Sequence, residues 1–144
     1  MQLELYQAEC ERIAQDCAAM LEQAKALYAT PGRTLTPLEQ GGVLHALQVL
    51  VENAIGKAKH QLKVLGVEVP VSAYDAFAAL AHRGLIAPHE LQRWNAVVGL
   101  RNRIVHDYMN IDMAHIAAMV QADRHAFVLN FLKTPLLTHT PPAP

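Results

Sequence analysis

At 144 residues the chain has room for one domain with a substantial core, and it needs no disulfide or metal staple to hold that core together. With 52% hydrophobic and 17% charged residues it falls among compact globular proteins rather than disordered ones. A formal net charge of −1 excludes a general nucleic-acid coat, so any contact with a polynucleotide has to come from a local basic patch.

Residues 2–29 carry Leu3, Tyr6, Cys10, Ile13, Cys17, Met20, Ala24 and Leu27 at alternating spacings of three and four, the heptad pattern of a bundle helix. Cys10 and Cys17 lie two turns apart on it, about 10 Å of rise, too far for a disulfide. They read as small buried hydrophobes of a reducing compartment. Thr30-Pro31-Gly32 breaks this helix. Thr36, Pro37 and Glu39 supply an N-cap, a first-turn proline and a capping box for a second helix that runs to about Leu65 and stops at Gly66. Leu44, Leu47, Val51, Ile55, Ala58 and Leu62 line its main apolar face. A second stripe of mostly small residues, Gly42, Ala46, Val49, Asn53, Gly56 and His60, would admit a neighbouring backbone. Lys57, Lys59, His60 and Lys63 give the end of this helix a basic surface, ordinarily a solvated face but one able to follow a polynucleotide backbone.

After a linker from Gly66 to Val71, Ser72 and Asp75 cap a short third helix from Ala73 to Arg83, closed by Gly84. Pro88 opens a fourth that reaches Tyr108. Asn110 or Asp112 caps a fifth, running to about Lys133 with Met113, Ile116, Val120, Phe127 and Phe131 inward. The Pro-rich tail, 135–144, is expected to be disordered beyond a helical domain spanning 1–134. No strand-like alternation and no internal repeat occur. The expected fold is all-α, an up-and-down bundle of four long helices and one short one. No apolar run approaches the length that spans a bilayer, and Met1-Gln2-Leu3-Glu4 is polar and acidic, unlike a secretory leader, so the expected location is the cytoplasm.

The segment Arg101-Asn102-Arg103-Ile104-Val105-His106-Asp107-Tyr108 concentrates the chemistry. In a helix of about 100° per residue, Leu91, Trp94, Val97, Val98, Ile104, Val105 and Tyr108 all project within about 80° of Arg101. Arg101 thus sits in the middle of an apolar stripe, where an unpaired charge is unfavourable. A structural partner such as Glu52 or Asp75 is one solution, a bound anion another. His106 projects about 140° away, on the side of Asn95, Gly99 and Asn102. The two groups therefore meet at one ligand only if the helix end unwinds near His106 or a second copy contributes. Gly99 would let an opposing helix come close, which favours a symmetric dimer.

A guanidinium that grips phosphate and an imidazole that moves protons near neutral pH suit chemistry on a phosphodiester. RNA carries its own nucleophile, the 2′-hydroxyl, so a histidine acting as base or acid and an arginine facing the phosphorus-bound oxygens suffice without metal. Asn102, four residues before His106, can orient the ring or donate to phosphate. Arg103 is placed either to pair with Asp107 at i+4 or to contact phosphate. The remaining histidines (His45, His60, His82, His89, His115, His125, His139) form no metal-ligand pair with a convincing partner, and no Gly-rich phosphate loop, nucleophile elbow or nucleophilic cysteine is present.

The string Leu100-Arg101-Asn102-Arg103-Ile104-Val105-His106-Asp107-Tyr108, with its Arg-x4-His-x-Tyr spacing near the end of a penultimate long helix, resembles the HepT branch of the HEPN superfamily. The resemblance extends to chain length, helix order and Val51-Glu52-Asn53-Ala54-Ile55-Gly56-Lys57-Ala58, and covers roughly residues 3–134. It implies a homodimeric, metal-independent ribonuclease acting as the toxin of a toxin–antitoxin pair, without cofactor, with Arg101 and His106 as nuclease centre. It further implies that Tyr108 accepts AMP from a cognate minimal nucleotidyltransferase antitoxin of the MntA type and that Asn53 supports the site from the second helix; Arg103 and Lys57, from the placements read above, are the candidates for contact with RNA. A rival expectation from the same fold is a non-catalytic HEPN module that only partners such a nucleotidyltransferase.

Overall fold

The computed structural model describes residues 2–140 and contains six α-helices: α1 Gln2–Ala29, α2 Pro37–Val64, α3 Ala73–His82, α4 Leu91–His106, α5 Met113–Gln121 and α6 Ala126–Lys133. Short 3₁₀ turns at Pro88–Glu90 and Tyr108–Asn110 bracket α4. No strand occurs among the described residues. The expected all-α bundle is the observed one. α2 is its centre, packing against α1, α3, α4 and α6, while α5 lies on α1. Among the described residues no helix is long and apolar enough to cross a membrane.

The start of α2 forms as its residues dictate. The Thr36 hydroxyl accepts from Glu39 N at 3.2 Å, and the Glu39 carboxylate accepts from Thr36 N at 2.9 Å. These two bonds satisfy donors that a helix start leaves orphaned. The α1 seam keeps its spacing but is rotated from expectation. Cys10, Ala14, Cys17, Leu21 and Ala24 are buried, whereas Met20 is 40% exposed. Ala14 takes the inner position because its small side chain lets α2 close on the seam. On α2 the stripe of small residues is not filled along its length, since nothing approaches within 4 Å of where a Cβ would stand at Gly42 or Gly56.

Aromatic packing locks α4 into the bundle. Trp94 stacks on Phe77 of α3 with centroids 4.3 Å apart and meets Phe127 and Phe131 of α6 edge-on at 4.8 and 4.9 Å. Such pairs add about 0.5–1.5 kcal/mol each beyond area burial. This cluster fixes the N-terminal half of α4 and so aims its C-terminal half, which carries the motif.

The single fifth helix expected to run to Lys133 is instead two. A continuous helix would turn Val128 and Leu132 about 120–160° away from Ile116, yet all three are fully buried. A break re-registers them. It falls at Asp123, whose φ of 55° is left-handed and whose carboxylate bonds Lys25 of α1 at 2.6 Å; aspartate tolerates this conformation better than most residues. His125 is buried just after the break, with Nδ1 lacking a hydrogen-bond partner. Burial lowers its imidazole pKa below the ordinary histidine range, against the opposing pull of Asp123 and Glu22. A depressed folded pKa contributes stability that is complete above the unfolded value of about 6.5 and lost as pH falls through the folded one. Thermal stability should therefore drop on acidification below about pH 6.5, and calorimetry of His125→Asn should show a flatter acid limb.

The tail also departs from expectation. Gln61 clasps Leu137 through two bonds, Nε2 donating to Leu137 O at 2.7 Å and Oε1 accepting from Leu137 N at 2.8 Å. The chain is thus docked on α2 as far as Leu137. Residues 141–144 of the expected disordered tail lie outside the described residues.

Candidate active site

Arg101 lies on α4 in line with the buried Trp94, Val97, Val98 and Ile104, as its position in the apolar stripe requires. It is half-buried, and its Nε is wholly buried without a hydrogen-bond partner. Neither Glu52 nor Asp75, both exposed, reaches it, and no ion pair to Arg101 occurs among the described residues. The structural partner weighed from the sequence is therefore not formed. A guanidinium nitrogen buried without a partner is unfavourable, and an external anion can complete it.

His106 is the last residue of α4 and is exposed. The helix stays regular through it and unwinds only at Asp107, with φ −144° and ψ 42°. Arg101 and His106 thus keep their offset of about 140° and about 7.5 Å of rise. One of the two routes by which they could share a phosphate, unwinding near His106, is closed within a single chain.

Tyr108 does not continue the helix, which ends at His106 rather than at Tyr108 as expected. It stands in the 3₁₀ turn, braced by Asn110 Nδ2 donating to Asp107 Oδ1 at 2.7 Å. Its phenol oxygen lies 3.4 Å from where a Cβ would stand at Gly41, in the first turns of α2. The ring is 49% exposed. Asp107, turned out of the helix and engaged by Asn110, makes no ion pair with Arg103, which stays exposed and without a carboxylate partner among the described residues. Asn102 is half-buried beside these groups.

Two supporting positions come out differently. Asn53, half-buried, donates from Nδ2 to Val49 O of its own helix at 2.8 Å, so one of its two amide hydrogens is spent locally and the other, with the oxygen, is left for the site. Lys57 is removed from the basic surface altogether. It is 3% exposed, and its ammonium donates to the carbonyls of Phe131 at 2.7 Å and Leu132 at 3.1 Å, and to that of Thr134. Burial pulls its pKa down to about 8. It caps the negative end of α6 and cannot meet a polynucleotide.

Two residues beside the motif were not singled out from the sequence, Gly41 under Tyr108 and Tyr74 over Gly99. The only cue was Gly41-Gly42 inside a well-capped helix, where glycine costs about 1 kcal/mol and asks for a reason. Gly99 is not left open for an opposing helix, because the Tyr74 hydroxyl lies 3.4 Å from its Cβ position.

A protein-family model, ribonuclease HepT-like, matches residues 11–133. The chain belongs to the HepT-like ribonuclease family. Among curated proteins, the HepT-like sequence is 33% identical over 82 residues to the mRNA nuclease HepT of Shewanella oneidensis, a match covering 57% of this chain and 62% of that protein. The fold is that of a tri-AMPylated HEPN toxin of Shewanella oneidensis solved in complex with its MNT antitoxin, with a TM-score of 0.75 and 23% identity over 89% of this chain and 96% of that one. A solved MntA–HpeT toxin–antitoxin complex gives a TM-score of 0.73 at 24% identity, over 89% and 97% of the two chains.

In this HepT-like chain the motif is rimmed by exposed apolar side chains. Val105, Tyr108 and Met109 of the α4 end are 44%, 49% and 89% exposed, and Leu38, one turn before Gly41, is 87% exposed. Large apolar groups gathered on one rim are the usual mark of a surface that another chain covers.

Proposed function

We propose that the protein is a metal-independent endoribonuclease, the toxin of a cytoplasmic toxin–antitoxin pair, working as a homodimer and silenced by AMP transfer to Tyr108 from an MntA-type nucleotidyltransferase. The observation that carries this reading is Arg101: a guanidinium with a buried, unbonded Nε and, among the described residues, no carboxylate paired to it. A phosphodiester supplies the missing charge.

In the reaction, His106 takes the proton of the 2′-hydroxyl, and the 2′-oxygen attacks the adjacent phosphorus. The bond to the 5′-oxygen breaks, leaving a 2′,3′-cyclic phosphate. The departing 5′-oxygen becomes a hydroxyl by taking a proton from a second donor, a role that the imidazole of the second copy can fill. Arg101 holds the non-bridging oxygens as charge builds on them. Asn102 orients the imidazole or the phosphate, and Asn53 supports the cleft through its free amide oxygen. The divergence of Arg101 and His106 along a regular helix favours a cleft assembled from two protomers, and the apolar rim around Tyr108 supports coverage by a second chain.

The test is an oligoribonucleotide incubated with purified, unmodified protein in excess EDTA. Cleavage should proceed undiminished and yield the cyclic phosphate, identified by mass. The same oligomer with a 2′-deoxy nucleotide at the scissile position should remain whole. Loss of activity in EDTA, or cutting at the deoxy position, contradicts the mechanism.

A further inference from the structure

Beside His106, the solvent face of α4 holds a second pair of groups that the reaction above does not use. Gly99, Asn102, Arg103 and His106 all project within about 60° of His106, and none is acidic. Over Gly99, which has no side chain to fill the space, Tyr74 arrives from the first turn of α3. Its hydroxyl stands 3.4 Å from the Cβ position of residue 99, and Arg103 Nη1 stands 3.8 Å from the same point. Tyr74 is 40% exposed although a hydroxyl-bearing ring at this place is not needed by the core, which α3 fills with Ala76, Phe77 and Leu80. Arg103 has no carboxylate partner among the described residues. An accessible aromatic ring and an uncommitted guanidinium therefore share one patch, about 10 Å along the helix axis from His106.

These are the two elements with which proteins hold a single-stranded polynucleotide, a ring on which a base stacks and a cation for the phosphate beside it. We propose that Tyr74 and Arg103 form a substrate subsite for a nucleotide flanking the scissile linkage, Tyr74 stacking on its base and Arg103 holding its phosphate. The inference rests on the ribonuclease reading and names how a nearly neutral protein gains purchase on RNA: through one local patch rather than a general positive field. The substrate it implies is single-stranded at that nucleotide, because a base inside a duplex offers no free face.

The experiment measures affinity rather than cleavage, in a His106→Ala background, by fluorescence anisotropy of a labelled single-stranded oligoribonucleotide. Tyr74→Leu should weaken binding roughly 5- to 100-fold, Tyr74→Phe should bind as the parent does, and Arg103→Gln should weaken binding and flatten its salt dependence. An abasic nucleotide walked along the oligomer should, at one position, cost the parent as much as Tyr74→Leu costs with the intact strand, and the two together should cost no more than either. Unchanged affinity in Tyr74→Leu, or a loss that adds fully to every abasic position, overturns the subsite. So does a loss that accompanies a halved solution mass, since Tyr74 would then serve contact between two copies. Cleavage by the protein with native His106 is scored separately, so a protein that binds through Tyr74 yet cuts nothing refutes the ribonuclease reading while leaving the subsite standing.

Discussion

His106→Ala is expected to slow RNA cleavage by about 10²-fold or more, the usual contribution of a positioned proton carrier, with no measurable loss of folding. His106 is exposed at the end of α4 and makes no hydrogen bond that the helix depends on, and surface changes of this kind stay within about 0.5 kcal/mol. Arg101→Ala completes the comparison. Were Arg101 the buried half of an ion pair, its loss would strand a carboxylate and cost about 3–5 kcal/mol. With no carboxylate paired to it among the described residues, truncation strands no acid, so the variant should melt near the parent temperature while cutting RNA about 10²–10³-fold more slowly. Thermal melts and initial rates on one RNA decide both. A melting temperature that collapses in Arg101→Ala means a structural role, cleavage undiminished in His106→Ala removes that imidazole from the reaction, and an unmodified parent that cuts no RNA hands the fold to the non-catalytic HEPN module.

The second large effect concerns Tyr108. In the proposed silencing reaction its phenol oxygen would attack the α-phosphorus of ATP bound by the antitoxin, the phenol proton would leave, and pyrophosphate would depart. Mixing the protein with an MntA-type nucleotidyltransferase and ATP should therefore raise its intact mass by AMP-sized steps and extinguish RNA cleavage, since phosphates added at the motif repel the substrate backbone. Tyr108→Phe should gain no such step and keep cutting in the presence of the antitoxin. The position of the hydroxyl against Gly41 adds a finer expectation. Ala at 41 makes ordinary contact with it, while Gly41→Val sets branches where the oxygen lies, so AMP transfer to Tyr108 should slow in the latter. A mass step that survives in Tyr108→Phe places the acceptor elsewhere.

The parts of this molecule that were legible in its residues are those governed by local rules. The capping box at Thr36 and Glu39, the cap at Ser72 and the stripe of α4 from Trp94 to Ile104 each depend on neighbours a few positions away, and each formed as read, whereas Val105 and Tyr108 at the far end of that stripe are exposed. The motif from Arg101 to Tyr108 was legible for the same reason. What escaped depends on distant partners. The break between α5 and α6 has no glycine or proline to announce it; it follows from the need to bury Val128 and Leu132, with Lys25, nearly a hundred positions away, bonding Asp123 at the turn. Lys57 reads as one more charge in a basic run because the carbonyls that enclose it lie in α6 and just beyond. The solitude of Arg101 was equally invisible, as a list of acids along a chain does not say which of them point at it. Tyr74 went unnoticed because nothing on α3 marks the empty space over Gly99.

The enclosure of Lys57 has a practical corollary for anyone trimming the chain. Its cation is tolerated deep in the protein because the carbonyls of Phe131, Leu132 and Thr134 surround it and because Gln61 pins the backbone a little further on at Leu137. A version cut back to the end of α6 would discard the Thr134 carbonyl and the Leu137 clasp together, leaving a positive charge marooned in greasy surroundings. The final proline-rich stretch is thus no dispensable appendage up to Leu137, and a fusion partner belongs beyond it.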